Sequence, residues 1–316
     1  MMQLDSNTTR RTFVGGLLGA GFAGTAFSGA KTLDRSRISA ITDEIARSPA
    51  DAIAFAHQYE MKWLEVRSVP GSRGSYARMT AEEAKAAAKE FADGGIRISF
   101  FDSPNLKTWL PGTTPAVWAK QTPQQIEQRK QRDQAAFDRR LEDLQTVIRN
   151  AQILGTDKVR VFTFLRTADP EKEFPRIAEI LGEMGKLAER EGMKILVENE
   201  ASCNVATTAE LAGIIRLLPE KTFALNWDPH NAMHYGEKPF PDAFEMLPEK
   251  RILNVQIKAR TILPEYTDPI DWDAVFRRLA KDNYKYCVGL ETHIFGEKQI
   301  ETSHKCMQEI MRLLGA

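Results

Sequence analysis

At 316 residues, with 42% hydrophobic and 27% charged side chains, the chain has the composition of a globular protein able to bury a sizeable core. No run in it reaches the roughly 20 apolar residues of a membrane span, so stable membrane insertion is not expected. Its 43 basic residues equal its 43 acidic ones, which removes the positive surplus by which a protein attracts nucleic acid.

Residues 1–30 read as a segment apart. Thr9-Arg10-Arg11-Thr12-Phe13-Val14 is followed by a Gly/Ala-rich apolar stretch to Phe27 and by the small-x-small sequence Ser28-Gly29-Ala30. This resembles a twin-arginine export signal, although Gly15 stands where such signals often carry Lys. The resemblance implies cleavage near residue 30, a periplasmic mature protein over 31–316, and export of an already folded chain. Losing Asp5, Arg10 and Arg11 would leave 41 basic and 42 acidic residues. The three cysteines, Cys203, Cys287 and Cys306, form no Cys-x-x-Cys pair, and they read as structural thiols with room for one disulfide.

Eight short β-branched runs follow in chain order: Ile38–Thr42, Lys62–Arg67, Ile96–Phe101, Lys158–Phe164, Lys194–Glu198, Thr222–Trp227, Ile252–Lys258 and Tyr286–Glu291. Helical patterns separate them. Ile177, Ile180, Leu181, Met184, Leu187 and Ala188 repeat at helical spacing before Gly192. Ser48-Pro49 supplies a cap followed by proline, and Thr80…Glu83 and Thr207…Glu210 fit capping boxes. Eight β-then-α units without a linker predict one α/β domain, a (β/α)8 TIM barrel. A doubly wound open sheet is the rival, weakened by the lack of a Gly-x-Gly-x-x-Gly turn after the first strand. Residues 103–124, with Trp109, Trp118 and four prolines, are too long for a plain connection and predict a lid over the barrel mouth.

Side chains at the C-terminal ends of barrel strands surround the active site. Here those ends read Val197-Glu198-Asn199-Glu200, Asn226-Trp227-Asp228-Pro229-His230-Asn231, Val255-Gln256-Ile257-Lys258 and Leu290-Glu291-Thr292-His293. Strand alternation puts Glu198 with Glu200, Gln256 with Lys258, and Glu291 with His293. Acids converging on one mouth call for a cation among them, unless Lys258, Arg160 or other bases neutralise them as ordinary ion pairs. Glu65 and Arg67, on one face of the second strand, read as an ion pair lining the mouth. His230 and His234 have the spacing of a helical metal pair, though a Pro-containing loop makes one of them solvent-facing. His57 and His304 fall in helices and read as surface or core residues.

With these motifs, and with Trp63-Leu64-Glu65-Val66-Arg67 and Ala151-Gln152-Ile153-Leu154-Gly155, the chain resembles the xylose isomerase-like sugar phosphate isomerase/epimerase superfamily over nearly its whole mature length. Matched motif by motif, the resemblance implies Glu198, Asp228, Gln256 and Glu291 as ligands of one divalent metal. Gln256 stands in place of the usual His, so the donor set is all oxygen, which favours Mn²⁺, with Mg²⁺ and Co²⁺ as alternatives. The resemblance further implies proton transfer by Glu198 and Glu291, with Lys258 and His293 in support. Glu65, Arg67, His230, Asn231 and Trp109 are the candidate contacts to a small carbohydrate substrate. Glu200, Asn231 and Ala259 depart from the epimerase pattern and leave the reaction open between isomerisation or epimerisation through an enediolate and β-elimination. A superfamily nuclease is disfavoured, since only His230, His234 and His293 lie near the mouth. A noncatalytic periplasmic carbohydrate-binding protein, stacking sugars on Trp109, Trp118 and Trp227, is the rival from another class. Homo-oligomerisation stays open.

Overall fold

The computed structural model describes residues 31–315, so the expected export signal lies outside the described residues. Eight parallel strands form in chain order: β1 (Ile38–Ala40), β2 (Trp63–Val66), β3 (Arg97–Phe101), β4 (Lys158–Val161), β5 (Lys194–Glu198), β6 (Phe223–Trp227), β7 (Ile252–Ile257) and β8 (Cys287–Leu290). Each falls within the run the sequence predicts for it, and the predicted ends that extend further are connections. The sheet order is β1-β8-β7-β6-β5-β4-β3-β2, and a parallel bridge between Ile41 and Glu65 brings the two edges together. The result is a nearly closed (β/α)8 barrel rather than an open doubly wound sheet.

Strand alternation sorts the side chains into two populations. Leu64, Val66, Val159, Val161, Ile195, Val197, Leu225, Trp227, Val255, Ile257, Val288 and Leu290 join one large apolar cluster with the helices, including Leu181, Met184 and Leu187 of the helix Phe174–Arg190. The alternate residues face the lumen, and an irregularity in β7, where Leu225 pairs with Ile252 and Asn226 with Asn254, turns Leu253 as well as Asn254 inward. At one level these are Phe100, Leu196, Ala224 and Leu253, a small dry cluster of their own. Toward the C-terminal mouth they become Ser39, Glu65, Arg160, Glu198, Asn226, Asn254, Gln256 and Gly289, a hydrogen-bonded polar layer.

Local capping chemistry sets the helix starts. Ser48 caps Pro49–Gln58, and full capping boxes form at Thr80/Glu83 and Thr207/Glu210, with a third at Thr122/Gln125. That third box starts a helix at Pro123, so the long connection after β3 ends earlier than the sequence suggests. The connection is docked rather than open. Phe162, Phe164 and Leu165 donate backbone hydrogen bonds to the carbonyls of Asn105, Leu106 and Thr108, and Ala116 donates to Arg166. Trp109 and Trp118, ring centroids 5.7 Å apart, pack with Leu165 into a satellite core, and the Trp109 indole donates to the Thr113 carbonyl. Cys203, Cys287 and Cys306 are all buried and free, so the disulfide allowed by the sequence does not form.

Candidate active site

Glu198 ends β5, Asp228 follows β6, Gln256 lies on β7 and Glu291 follows β8, all at the C-terminal mouth and all at most 5% exposed. Carboxylate oxygens of Glu198, Asp228 and Glu291 lie within 4.8 Å of one another. Adjacent loops hold these positions. Asn199 grips the backbone of Asp228 at both ends, accepting from its N–H at 2.9 Å and donating to its carbonyl at 2.6 Å. Asn231 donates its backbone N–H to Asp228 Oδ1 at 3.1 Å, and its own Oδ1 accepts from Lys258 at 3.2 Å.

Bases partly neutralise the cluster. Arg160 meets Glu198 at 2.9 Å and Asp102 at 3.2 Å, and Lys258 lies 2.6 Å from Asp228 and 3.6 Å from Glu291. Arg67 holds Glu291 at 2.9 Å and is shared with Asp43 and Glu44. Glu65, Asp102, Glu198, Asp228 and Glu291 alone outnumber these three cations, before Asp43 and Glu44 take their share of Arg67. Ion pairing alone therefore leaves part of the acid either protonated, as burial favours at Glu65, Asp102, Glu198 and Asp228, or in need of a further cation. Buried oxygens on three of the four candidate ligands also lack a hydrogen-bond donor, Asp228 Oδ2, Gln256 Oε1 and Glu291 Oε2, as do both carboxyl oxygens of Asp102 and Oδ1 of Asn254 deeper in the same lumen. Lys258 answers Asp228 Oδ2 as an ion pair at 2.6 Å and stands 3.6 Å from Glu291 Oε2, so of the three ligand oxygens that of Gln256 has no positive partner. Buried orphan acceptors are rare and costly, and a hard divalent cation satisfies them. The residues fit a metal.

Burial pushes the Glu198 carboxyl up to about 7 against the pull of Arg160, and it raises Asp228 despite Lys258. At Glu291 burial acts in the same direction, but Lys258, His293 and Arg67 outweigh it and hold the carboxyl well below its usual range. The opposed charges of Asp228 and Glu291 likewise raise Lys258 despite its burial. Two carboxyl groups on one site are thus driven in opposite directions.

Several expected pairings differ. Arg67 does not pair with Glu65, because Glu65 is fully buried lower in the lumen, where it meets Ser39 and Gln256. Glu200 does not share the Glu198 face, since β5 stops at Glu198 and the chain turns so that Glu200 meets Lys107 of the β3 connection at 3.0 Å. His293, 43% exposed at the rim, puts Nδ1 3.7 Å from Glu291 Oε1, and its φ of 54° lies in the left-handed region. Its backbone N–H donates to Glu44. Glu44, Glu291 and His293 also lie within 4.8 Å of one another, but the Arg67 guanidinium already serves both carboxylates. His230 is buried, and burial pulls it down to about 4, so it is neutral near pH 7, while His234 faces solvent. Trp109 belongs to the satellite core and is not brought to this cluster. His57 and His304 bond the Gly94 carbonyl and the Tyr59 hydroxyl, consistent with structural roles. Asp43, Glu44 and Asp102 were not singled out, although all follow strand ends and the same positional signal applies to them.

The model of the xylose isomerase-like TIM barrel family matches residues 53–310. The chain belongs to this family. No curated protein sequence gives a match. Among solved structures, 3-keto-D-glucoside 4-epimerase from E. coli in its apo form is 13% identical, with a TM-score of 0.63 over 89% of this chain and 99% of the other. The probable 3-DHS dehydratase of petrobactin synthesis from Bacillus anthracis is 14% identical, with 0.62 over 87% and 98%. The IOLI protein with a bound zinc atom is 14% identical, with 0.61 over 88% and 96%. At these identities the likeness is one of fold.

Proposed function

We propose that this chain is a metal-dependent sugar isomerase or epimerase acting on an unphosphorylated sugar, cyclitol or keto-glycoside, and that it is exported to the periplasm by the twin-arginine route. The observation that carries the catalytic reading is the clustering of Glu198, Asp228 and Glu291, together with the buried, donorless oxygen of Gln256 on β7, the strand between β6 and β8. These four residues would hold one divalent ion, Mn²⁺ by the all-oxygen donor set, with Mg²⁺ and Co²⁺ as alternatives. When bound, such an ion supplies Lewis acidity that polarises a carbonyl and acidifies the neighbouring C–H bond.

The remaining work falls to the chain. Glu198 and Glu291 would remove and return the proton, the two carboxylates at the ends of β5 and β8 that meet in the same cluster. Lys258, anchored by Asn231, lies between Asp228 and Glu291 and supports negative charge on a substrate oxygen. His293 at the rim connects Glu291 with solvent. Arg67, Asn231 and His230 border the same mouth and serve as polar contacts for hydroxyl groups. Export supports an unphosphorylated substrate, since sugar phosphates are rarely met outside the cytoplasm.

A second reading is β-elimination from the same enediolate. In this reading His293, 43% exposed and 3.7 Å from Glu291, would protonate the leaving group, and a probable dehydratase is among the structural neighbours. A noncatalytic sugar binder is less well supported, because Trp109, Trp118 and Trp227 are at most 9% exposed and offer little open ring face. The test is exchange of the substrate α-hydrogen with deuterated solvent by Mn²⁺-loaded protein over ketoses, inososes and keto-glycosides. Product analysis separates epimer from eliminated product. Glu291→Gln should retain the fold and much of the metal affinity but lose exchange, without recovery in excess Mn²⁺. Absence of exchange in the wild type, or full metal rescue of the variant, would refute the assignment.

A further inference from the structure

Gln256 is the one member of the proposed ligand set that carries both a donor and an acceptor at its tip. A metal accepts only the oxygen, and the amide reverses by a rotation of half a turn about its last bond. Something must decide which end faces the mouth. Resting on the metal reading above, we infer that Glu65 is a positioning residue that fixes the Gln256 amide with its oxygen toward the ion.

Glu65 Oε2 accepts from Gln256 Nε2 at 2.8 Å, and its Oε1 meets the Ser39 hydroxyl at 2.5 Å. Asn254 Nδ2 lies 3.5 Å from the same Oε2. With the Ser39 hydroxyl and the Gln256 and Asn254 amides all turned to it, the ionised carboxyl accepts only, so it takes the Gln256 amide nitrogen and leaves Oε1 without a donor. Reversing the amide would set oxygen against oxygen at the same distance in a site closed to water, a costly arrangement.

The barrel makes room for this device. Gly289 of β8 is paired in register with Ser39 of β1 on one side and Gln256 of β7 on the other. A Cβ on Gly289 would stand 2.0 Å from Glu65 Oε1 and 2.6 Å from its Cδ. The Glu65 carboxyl from β2 therefore occupies the space above Gly289, which lets it reach Gln256 on β7 across β8. A glycine within a strand and a fully buried carboxyl are both unfavourable in isolation. Together they give the neutral amide ligand a defined orientation, as carboxylates orient histidine ligands at other metal sites.

The experiment is titration of Mn²⁺ into the mature protein, with free ion read by electron paramagnetic resonance and folding checked by near-UV circular dichroism in EDTA. Glu65→Met, similar in volume but without an acceptor, is expected to weaken binding by about 10–100-fold. Glu65→Gln can still accept through its amide oxygen and should stay within a few-fold of wild type. The exchange Glu65→Gln with Gln256→Glu reverses the roles of the two groups. It should bind more tightly than Gln256→Glu alone, in which two carboxyl groups confront each other. Equal affinity in wild type and Glu65→Met overturns the positioning role while leaving the metal site standing. If Glu65→Met does not fold, a double variant binding no better than Gln256→Glu alone overturns it. A wild type that binds no Mn²⁺ overturns both readings.

Discussion

Replacing Gly289 by alanine adds a single methyl group at the most crowded point of the lumen. The new carbon would lie 2.0 Å from Glu65 Oε1, where ordinary contacts begin at 3.4 Å, so the carboxyl must retreat by roughly 1.4 Å. A shift of that size breaks the contact with Ser39 or with Gln256. Overpacking costs about 1–3 kcal/mol. A buried amide donor left without its acceptor costs about 1–3 kcal/mol more. The total, about 2–6 kcal/mol, is a large fraction of the roughly 5–15 kcal/mol that holds a typical domain together. At about 2–4 °C per kcal/mol for a domain of a few hundred residues, Tm should fall by about 4–24 °C. Urea unfolding in EDTA, followed by tryptophan fluorescence, measures the loss without contribution from metal. Gly182→Ala is the control. An added Cβ there meets nothing within 4 Å inside the helix Phe174–Arg190, so it should stabilise by about 0.5–1 kcal/mol. Gly289→Ala with a loss below about 0.5 kcal/mol, at the scale of an ordinary surface change, would refute the packing argument.

Mn²⁺ binding should release protons and strengthen as pH rises toward neutrality. Glu198, raised to about 7 by burial, stays protonated in the metal-free protein until that pH and must deprotonate to act as a ligand. For the metal-free fold the sign is the reverse. A carboxyl with a raised folded pKa imposes a penalty that grows as pH climbs from the ordinary carboxylate range through about 7. Calorimetry in buffers of different ionisation enthalpy checks the proton count, and affinity unchanged from pH 5.5 to 7.5 would contradict it. None of the three thiols should react quickly with a disulfide reagent in the native protein at pH 8, since burial pushes Cys203, Cys287 and Cys306 up to about 12. All three should react after denaturation, and rapid native labelling would show that the buried assignment is wrong. Arg10→Lys with Arg11→Lys should retain the protein in the cytoplasm, and an unchanged periplasmic yield on fractionation would remove the export proposal.

Strand and helix positions were legible in the sequence because their causes are local. Lys194–Glu198 forms over the residues its β-branched pattern predicts, and Thr80/Glu83 and Thr207/Glu210 close their boxes within three residues of chain. The convergence of Glu198, Asp228, Gln256 and Glu291 was legible for a related reason. Once eight βα units are recognised, the topology carries successive strand ends to one mouth. Tertiary structure alone decided which groups meet there. Alternation tells which face a residue takes, but not its height in the lumen or its partner across the ring. Glu65 and Arg67 share a face, yet Glu65 lies low enough to meet Gln256, 191 positions away in the chain, while Arg67 rises to Glu291. The strand end at Glu198 likewise turned Glu200 toward Lys107, and docking on residues 162–166 buried Trp109 in a core of its own. Those outcomes depend on stagger, closure and loop packing, which are properties of the whole ring and of no single segment.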